Sequence, residues 1–71
     1  MKVILFGATG LAGSFILTEL LKSGHKVTAF VRNASKLQVQ NNALTVIEGN
    51  VLDSAEVTAA IRGNLAVVSA I

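Results

Sequence analysis

The sequence contains no cysteine, no proline, no tryptophan and no tyrosine. Without cysteine there is no disulfide framework, no thiol nucleophile and no thiolate metal ligand. The single histidine, His25, has no second imidazole with which to build a zinc site. The only aromatic residues are Phe6, Phe15 and Phe30, and the 6 lysines and arginines form no block. A nucleic-acid platform needs clustered cations or stacking aromatics, so that class is set aside. No uninterrupted apolar run reaches the roughly 18 residues of a membrane span. The apolar run after Lys2 is too short for a signal-peptide core. A soluble, cytoplasmic protein is expected, with neither nucleic acid nor membrane as a partner.

Charge is also scarce. Only 14% of the residues are charged, against 52% hydrophobic, and the net charge is +2. A chain of 71 residues is one small domain with a marginal core. That composition belongs to an interior with little surface. It points to a piece of a larger fold, incomplete at its C-terminal side, or to a chain that buries surface by self-association.

What is present centres on Val3-Ile4-Leu5-Phe6-Gly7-Ala8-Thr9-Gly10-Leu11-Ala12-Gly13. Lys2 to Phe6 is a continuous apolar run with β-branched residues, as in a strand buried on both faces. Glycines follow at three-residue intervals, and then helical periodicity begins. Leu11, Phe15, Leu17, Leu20 and Leu21 mark an apolar stripe on a helix from Leu11 to Ser23, read as a core face. Glu19 and Lys22 are spaced to pair on its surface. Gly24 stands where a left-handed stop is wanted.

The rest of the chain repeats the alternation. Lys26 to Val31 reads as a second strand and Ala34 to about Gln40 as a short helix behind an Asn33 cap. Asn41-Asn42 is a turn signal. Leu44 to Ile47 reads as a third strand, closed by Glu48-Gly49-Asn50. Asp53 and Glu56 form an Asp-x-x-Glu capping box for a helix from about Ser54 to Arg62, with Val57, Ala60 and Ile61 inward. Leu65 to Ile71 is a fourth strand without charge. Strand and helix alternating over short connections predicts a parallel three-layer α/β fold in strand order 3-2-1-4. This is the first mononucleotide-binding half of a Rossmann fold, covering residues 1–71.

The glycine turn has a chemical reading. A diphosphate must reach backbone N–H groups, and glycine leaves the approach open. The helix behind it offers unpaired N–H groups and the positive end of its dipole. Gly7 would make the tight turn, Gly10 would admit the diphosphate and Gly13 would let the helix lie against the sheet. The Thr9 hydroxyl can donate to a phosphate oxygen. The same pattern also fits a structural turn that holds no ligand. An acidic residue at the end of the second strand would read a ribose 2′-OH. None lies between Glu19 and Glu48, and the strand ends instead at Arg32, with Ser35 and Lys36 nearby. A guanidinium suits a 2′-phosphate, which favours NADP(H) over NAD. A solvated surface arginine is the plain alternative.

Gly7-Ala8-Thr9-Gly10-x-x-Gly13, Val31-Arg32-Asn33 and Gly49-Asn50-Val51-Leu52-Asp53 together resemble the N-terminal half of the atypical short-chain dehydrogenase/reductases. The NmrA-like and flavin-reductase-like NAD(P)H-binding groups are the nearest in pattern. The resemblance implies that Gly7, Thr9, Gly10 and Leu11 line the diphosphate, that Gly13 packs the helix, and that Arg32 holds the 2′-phosphate. It also implies that Asn50 lies at the adenine and that Val51 belongs to the cofactor-binding residues. Asn50 stands where the family commonly has aspartate, keeping the acceptor without the charge. Ser69-Ala70-Ile71 would end beside the adenosine. Many relatives use a Tyr-x-x-x-Lys pair, and this chain has no tyrosine, so no catalytic residue is assigned.

The remaining candidates have simpler accounts. His25 reads as a surface or helix-capping residue. Glu48 and Asp53 lack a third ligand for a metal site. Ser14 and Ser69 lack a His-Asp arrangement to activate them. Two functional expectations result. One is an NADP(H)-binding domain of an oxidoreductase-like protein. The other is a non-catalytic fragment that self-associates through its fourth-strand edge, since open apolar edges invite pairing.

Overall fold

The β-branched and apolar residues of Lys2–Phe6 (β1) form the centre of the sheet because both of their faces find cover. The computed structural model describes residues 1–70. Besides β1, the strands are Lys26–Val31 (β2), Leu44–Glu48 (β3) and Ala66–Ser69 (β4). All pairings are parallel, in the order β3-β2-β1-β4. The helices are Leu11–Lys22 (α1) and Ser54–Ile61 (α2). This is the three-layer α/β arrangement that the sequence predicts.

Alternation along the strands sorts the core into two layers. On one face Leu5, Val27, Ala29 and Val31 meet Leu17, with Ile16, Leu20 and Leu21 of α1 packed around them. On the other face Ile4, Phe6 and Phe30 meet Ala60, with Val57 and Ile61 of α2 beside it. Val57, Ala60 and Ile61 therefore face inward as expected. Phe6 and Phe30 stack at a tilt, with ring centroids 5.3 Å apart.

Several local expectations are corrected. α1 stops at Lys22, and Ser23 is its cap, with Gly24 at φ 84 just beyond. Its apolar stripe is not all core. Leu11 is 94% exposed and Phe15 68% exposed, because α1 rests on the sheet through Gly13 and Leu17 instead. The helix expected over Ala34 to Gln40 is a single 3-10 turn, Ala34–Lys36. Asn33 caps it, its Oδ1 accepting from Ser35 N at 3.1 Å. Beyond the turn Leu37 is extended, and Leu37 and Val39 pack beside Leu44 in the first core layer. Their two-residue spacing suits an extended segment with one apolar side. β3 runs one residue further than expected, to Glu48, and α2 ends at Ile61 with Arg62 as its cap. β4 is shorter than expected at Ala66–Ser69. Leu65 precedes it, donating its N–H to Lys2 O at 2.8 Å, and Ile71 lies outside the described residues.

The capping box is half formed. Asp53 Oδ1 accepts from Ala55 N at 3.0 Å and Glu56 N at 3.1 Å. The Glu56 carboxylate does not reach back to the Asp53 amide. It accepts Asn50 N at 2.7 Å, while Asp53 N donates to Asn50 O at 2.9 Å. Nor does His25 cap with its ring. Its backbone N–H donates to Leu20 O at 3.2 Å, and its Nδ1 is buried without a partner among the described residues.

Candidate functional site at the glycine turn

In a parallel sheet all strands end on one side, and the expected site residues gather there. Gly7 to Gly10 follow β1, Arg32 follows β2, and Gly49, Asn50 and Val51 follow β3. The turn itself is built from three different uses of glycine. Gly7 has φ 83, a conformation that L side chains rarely adopt, and it lets the chain leave β1 sharply. Ala8 is fully buried beneath it. A Cβ on Gly13 would lie 2.6 Å from the Gly7 carbonyl carbon and 3.0 Å from Ala8 Cα. Only glycine lets α1 rest on the turn. Gly10 is different: a Cβ there would meet nothing nearer than Gly7 O at 3.7 Å. The space above Gly10 is open.

That opening leads to an uncapped helix end. Gly10 is the N-cap of α1 and offers no side-chain acceptor, and the first turn holds no acidic residue. Ser14 N donates to Gly10 O at 2.8 Å, but the amides of Leu11, Ala12 and Gly13 donate to nothing among the described residues. Unpaired N–H groups at a helix start, with the positive dipole end behind them, attract an anion. α2 begins at the same end of the sheet and is the opposite case, with Asp53 on its first amides and Glu56 in its first turn. Of the two helix starts at this end of the sheet, one is capped by the Asp53 carboxylate and one is left bare. The bare one adjoins the glycines.

The other residues stand as follows. Thr9 and Leu11 are exposed at the turn. Arg32 is exposed at the end of β2, with no ion pair or hydrogen bond to its side chain among the described residues. Asn50 Oδ1 accepts Leu52 N at 2.9 Å, forming a local turn, so the carbonyl has one of its two acceptor directions in use. Val51 is exposed beside it. Ser35 Oγ donates to Asn33 Oδ1 at 2.7 Å. The Ser14 hydroxyl turns back to Leu11 O at 3.0 Å and takes no part in the opening.

Two residues acquire roles that the sequence did not disclose. Glu48 Oε2 accepts at 2.9 Å the N–H of Ala34, which lies two residues along the chain from Arg32. The signal was the expected closeness of adjacent strand ends, which places Glu48 beside Val31 in register. Gly49 is held to glycine by packing, since a Cβ there would come within 2.7 Å of both Phe30 Cζ and Glu56 Oε2. Both Glu48 and Asp53 are thus spent on backbone amides, and no group of three metal-ligating side chains occurs among the described residues. No helix among the described residues is long and apolar enough to cross a membrane.

Comparison with known proteins agrees with this geometry. A family model described as NAD(P)H-binding matches residues 7–71. The oxidoreductase dmxR7 of Cryptosporiopsis sp. (strain 8999) is 37% identical over 70 residues, 89% of this chain and 29% of the relative. A Bacteroides thetaiotaomicron protein provisionally classed as an epimerase is 40% identical and superposes with a TM-score of 0.93, over 99% of this chain and 32% of its own. The enzyme WbmH of Bordetella bronchiseptica, crystallised in complex with NAD+, is 32% identical with a TM-score of 0.85, over 99% of this chain and 25% of its own. The chain spans less than a third of the length of each of these relatives.

Proposed function

The chain belongs to the NAD(P)H-binding family of Rossmann-fold, oxidoreductase-like proteins, and from that premise we propose that it holds the adenosine-diphosphate part of NADP(H). The observation that carries this reading is the bare start of α1 over an open Gly10, in contrast to the α2 start, where Asp53 accepts two amides. In this reading the amides behind Gly10, with Gly7 and Leu11 lining the turn, receive the diphosphate. Thr9 donates its hydroxyl to it, and Gly13 keeps α1 within reach. Asn50 and Val51 border the adenine, Asn50 through the acceptor direction left free by its local turn.

Arg32 decides between the two cofactors. Its guanidinium is exposed and uncommitted at the end of β2, where an NAD-selective site would carry an acid. The nearby carboxylate, Glu48, is occupied by the Ala34 amide rather than turned to a ribose. NADP(H) is therefore the preferred ligand. The longer protein that this chain matches in part would transfer hydride in the manner of a short-chain dehydrogenase/reductase of the NmrA-like or flavin-reductase-like type. Its catalytic and substrate-binding groups would come from parts of that protein that this chain does not cover, and the protein would work in the cytoplasm.

A second reading rests on β4. Among the described residues it has a partner strand on one side only, and Leu65 and Val67 beside that edge are 78% and 53% exposed. A chain that pairs with itself there would be a non-catalytic, self-associating half-domain. Calorimetric titration with NADPH and with NADH, beside a light-scattering mass, separates the two. Tighter binding of NADPH that is lost in Arg32→Ala supports the first reading. A folded oligomer that binds neither nucleotide supports the second.

A further inference from the structure

The end of the sheet opposite the glycine turn carries a cavity of about 370 Å³. The starts of all four strands converge on it. Lys2 opens β1, Lys26 opens β2, Asn42 precedes β3, and Arg62 lies in the connection to β4. Thr28 and Thr45 complete the polar wall, side by side in register on β2 and β3.

Three features of this wall point the same way. First, Lys2 and Lys26 are register partners on adjacent strands, so two ammonium groups share one face at neighbouring positions. Like charges placed opposite one another on a sheet repel and destabilise it. Second, no carboxylate relieves them. Glu48, Asp53 and Glu56 lie at the other end of the strands, and Glu19 pairs with Lys22 at 3.8 Å on α1, which packs on the other face. Third, the donors are idle. The side chains of Lys2, Lys26, Arg62, Thr28, Thr45 and Asn42 make no hydrogen bond or ion pair among the described residues. The C-terminus of α2, which faces this end, would repel an anion through its free carbonyls. Two of those carbonyls are covered, since Asn64 Nδ2 donates to Ala60 O at 3.0 Å and Ile61 O at 3.4 Å.

We infer that this cavity is a binding site for a small phosphate-bearing anion, separate from the nucleotide site at the other end of the sheet. The two lysines and Arg62 supply charge, and the threonine hydroxyls and the Asn42 amide supply directional donors. The wall has no aromatic residue on which a base could stack, so the ligand is recognised through its phosphate groups. The bound anion relieves the repulsion between Lys2 and Lys26, so its binding stabilises the sheet at the strand starts.

Inorganic pyrophosphate is the probe, titrated at constant ionic strength into nitrogen-15-labelled chain and followed by amide NMR shifts. The amides of Lys2, Lys26, Thr28 and Thr45 should move together and saturate. The double variant Lys2→Gln/Lys26→Gln should bind about tenfold more weakly or worse. Thr28→Val, which keeps the shape of the wall, should also weaken binding, and Lys22→Gln on α1, on the other face of the sheet, should leave it unchanged. Shifts confined to Gly10 through Gly13 would overturn the inference, because they would assign the probe to the glycine turn. So would equal affinity in the double-lysine variant, or shifts that rise without saturating. NADPH binding is measured on the same samples, and its presence or absence bears only on the other site.

Discussion

A β-carbon at Gly13 would stand 2.6 Å from the carbonyl carbon of Gly7, so the first turn of α1 and the exit from β1 are fitted to each other. The contact is between backbone and backbone, which leaves no flexible side chain to give way. Gly13→Ala should push α1 off the sheet and cost about 3 kcal/mol, the upper range for overpacking. In a domain this small that is a large share of its stability, and a thermal melt would show it. Gly10→Ala is the counterpart. Gly10 has φ −78 and ψ 171, which alanine adopts, and its Cβ would meet only ordinary contact. The fold should melt at or slightly above the original temperature, while affinity for NADPH falls. A variant that loses stability and binding together at Gly10 would contradict the division of labour drawn between the two glycines.

Arg32→Ala should leave the melting temperature nearly unchanged, since the side chain is exposed and unpartnered. Its effect should appear in the ligand. NADPH affinity should drop about tenfold to a hundredfold, the range for losing a charge-assisted bond to phosphate, while NADH affinity stays where it was. Equal losses for both nucleotides would assign Arg32 to the adenine or the diphosphate instead.

Asp53→Ala removes the acceptor for two amides at the start of α2. The expected cost is about 1 kcal/mol, with Asp53→Asn recovering most of it. Denaturant unfolding would resolve the difference. Glu56→Gln should be a smaller change, because the amide oxygen can still accept Asn50 N.

The exposed edge can be tested without touching the glycine turn. Val67→Lys places a charge on the open flank of β4, where 53% of the valine is exposed. If copies of the chain pair at that edge, the mass by light scattering should fall toward that of a monomer. An unchanged mass would move any association elsewhere on the molecule.

The elements that were legible in the sequence are those whose apolar residues are buried by neighbours of their own kind. β1 and β2 follow their hydrophobic pattern closely because each is covered by helices or strands within the same chain. Gly7 and Gly13 were legible for a related reason, since a turn between a buried strand and a helix constrains the backbone strongly. Phe15 misled because helical spacing reports which residues share a face, and burial depends on what lies opposite. Here Gly13 and Leu17 meet the sheet, and Phe15 points away from it. Glu56 misled because two acceptable amides lay within its reach, those of Asp53 and Asn50, and the spacing alone cannot rank them. The segment after Lys36 took an extended path because Leu37 and Val39 could both reach the first core layer that way. Glu48 was visible as a residue, but its hydrogen bond to Ala34 depends on two strand ends meeting.

The strand order has a kinetic consequence during synthesis. β1 is made first, yet Val3 to Phe6 pair along one side with Ala66 to Ser69, the last strand described. The central strand can bond to β2 early, but its second side waits until residues 66–69 have left the ribosome. Closing that long-range contact requires ordering everything between the two strands, which slows folding relative to local pairings. Until then the most hydrophobic segment of the chain shows an unpaired flank to the cell. A nascent chain stalled before Ala66 should therefore be a strong chaperone client, although every residue of its glycine turn has already been made.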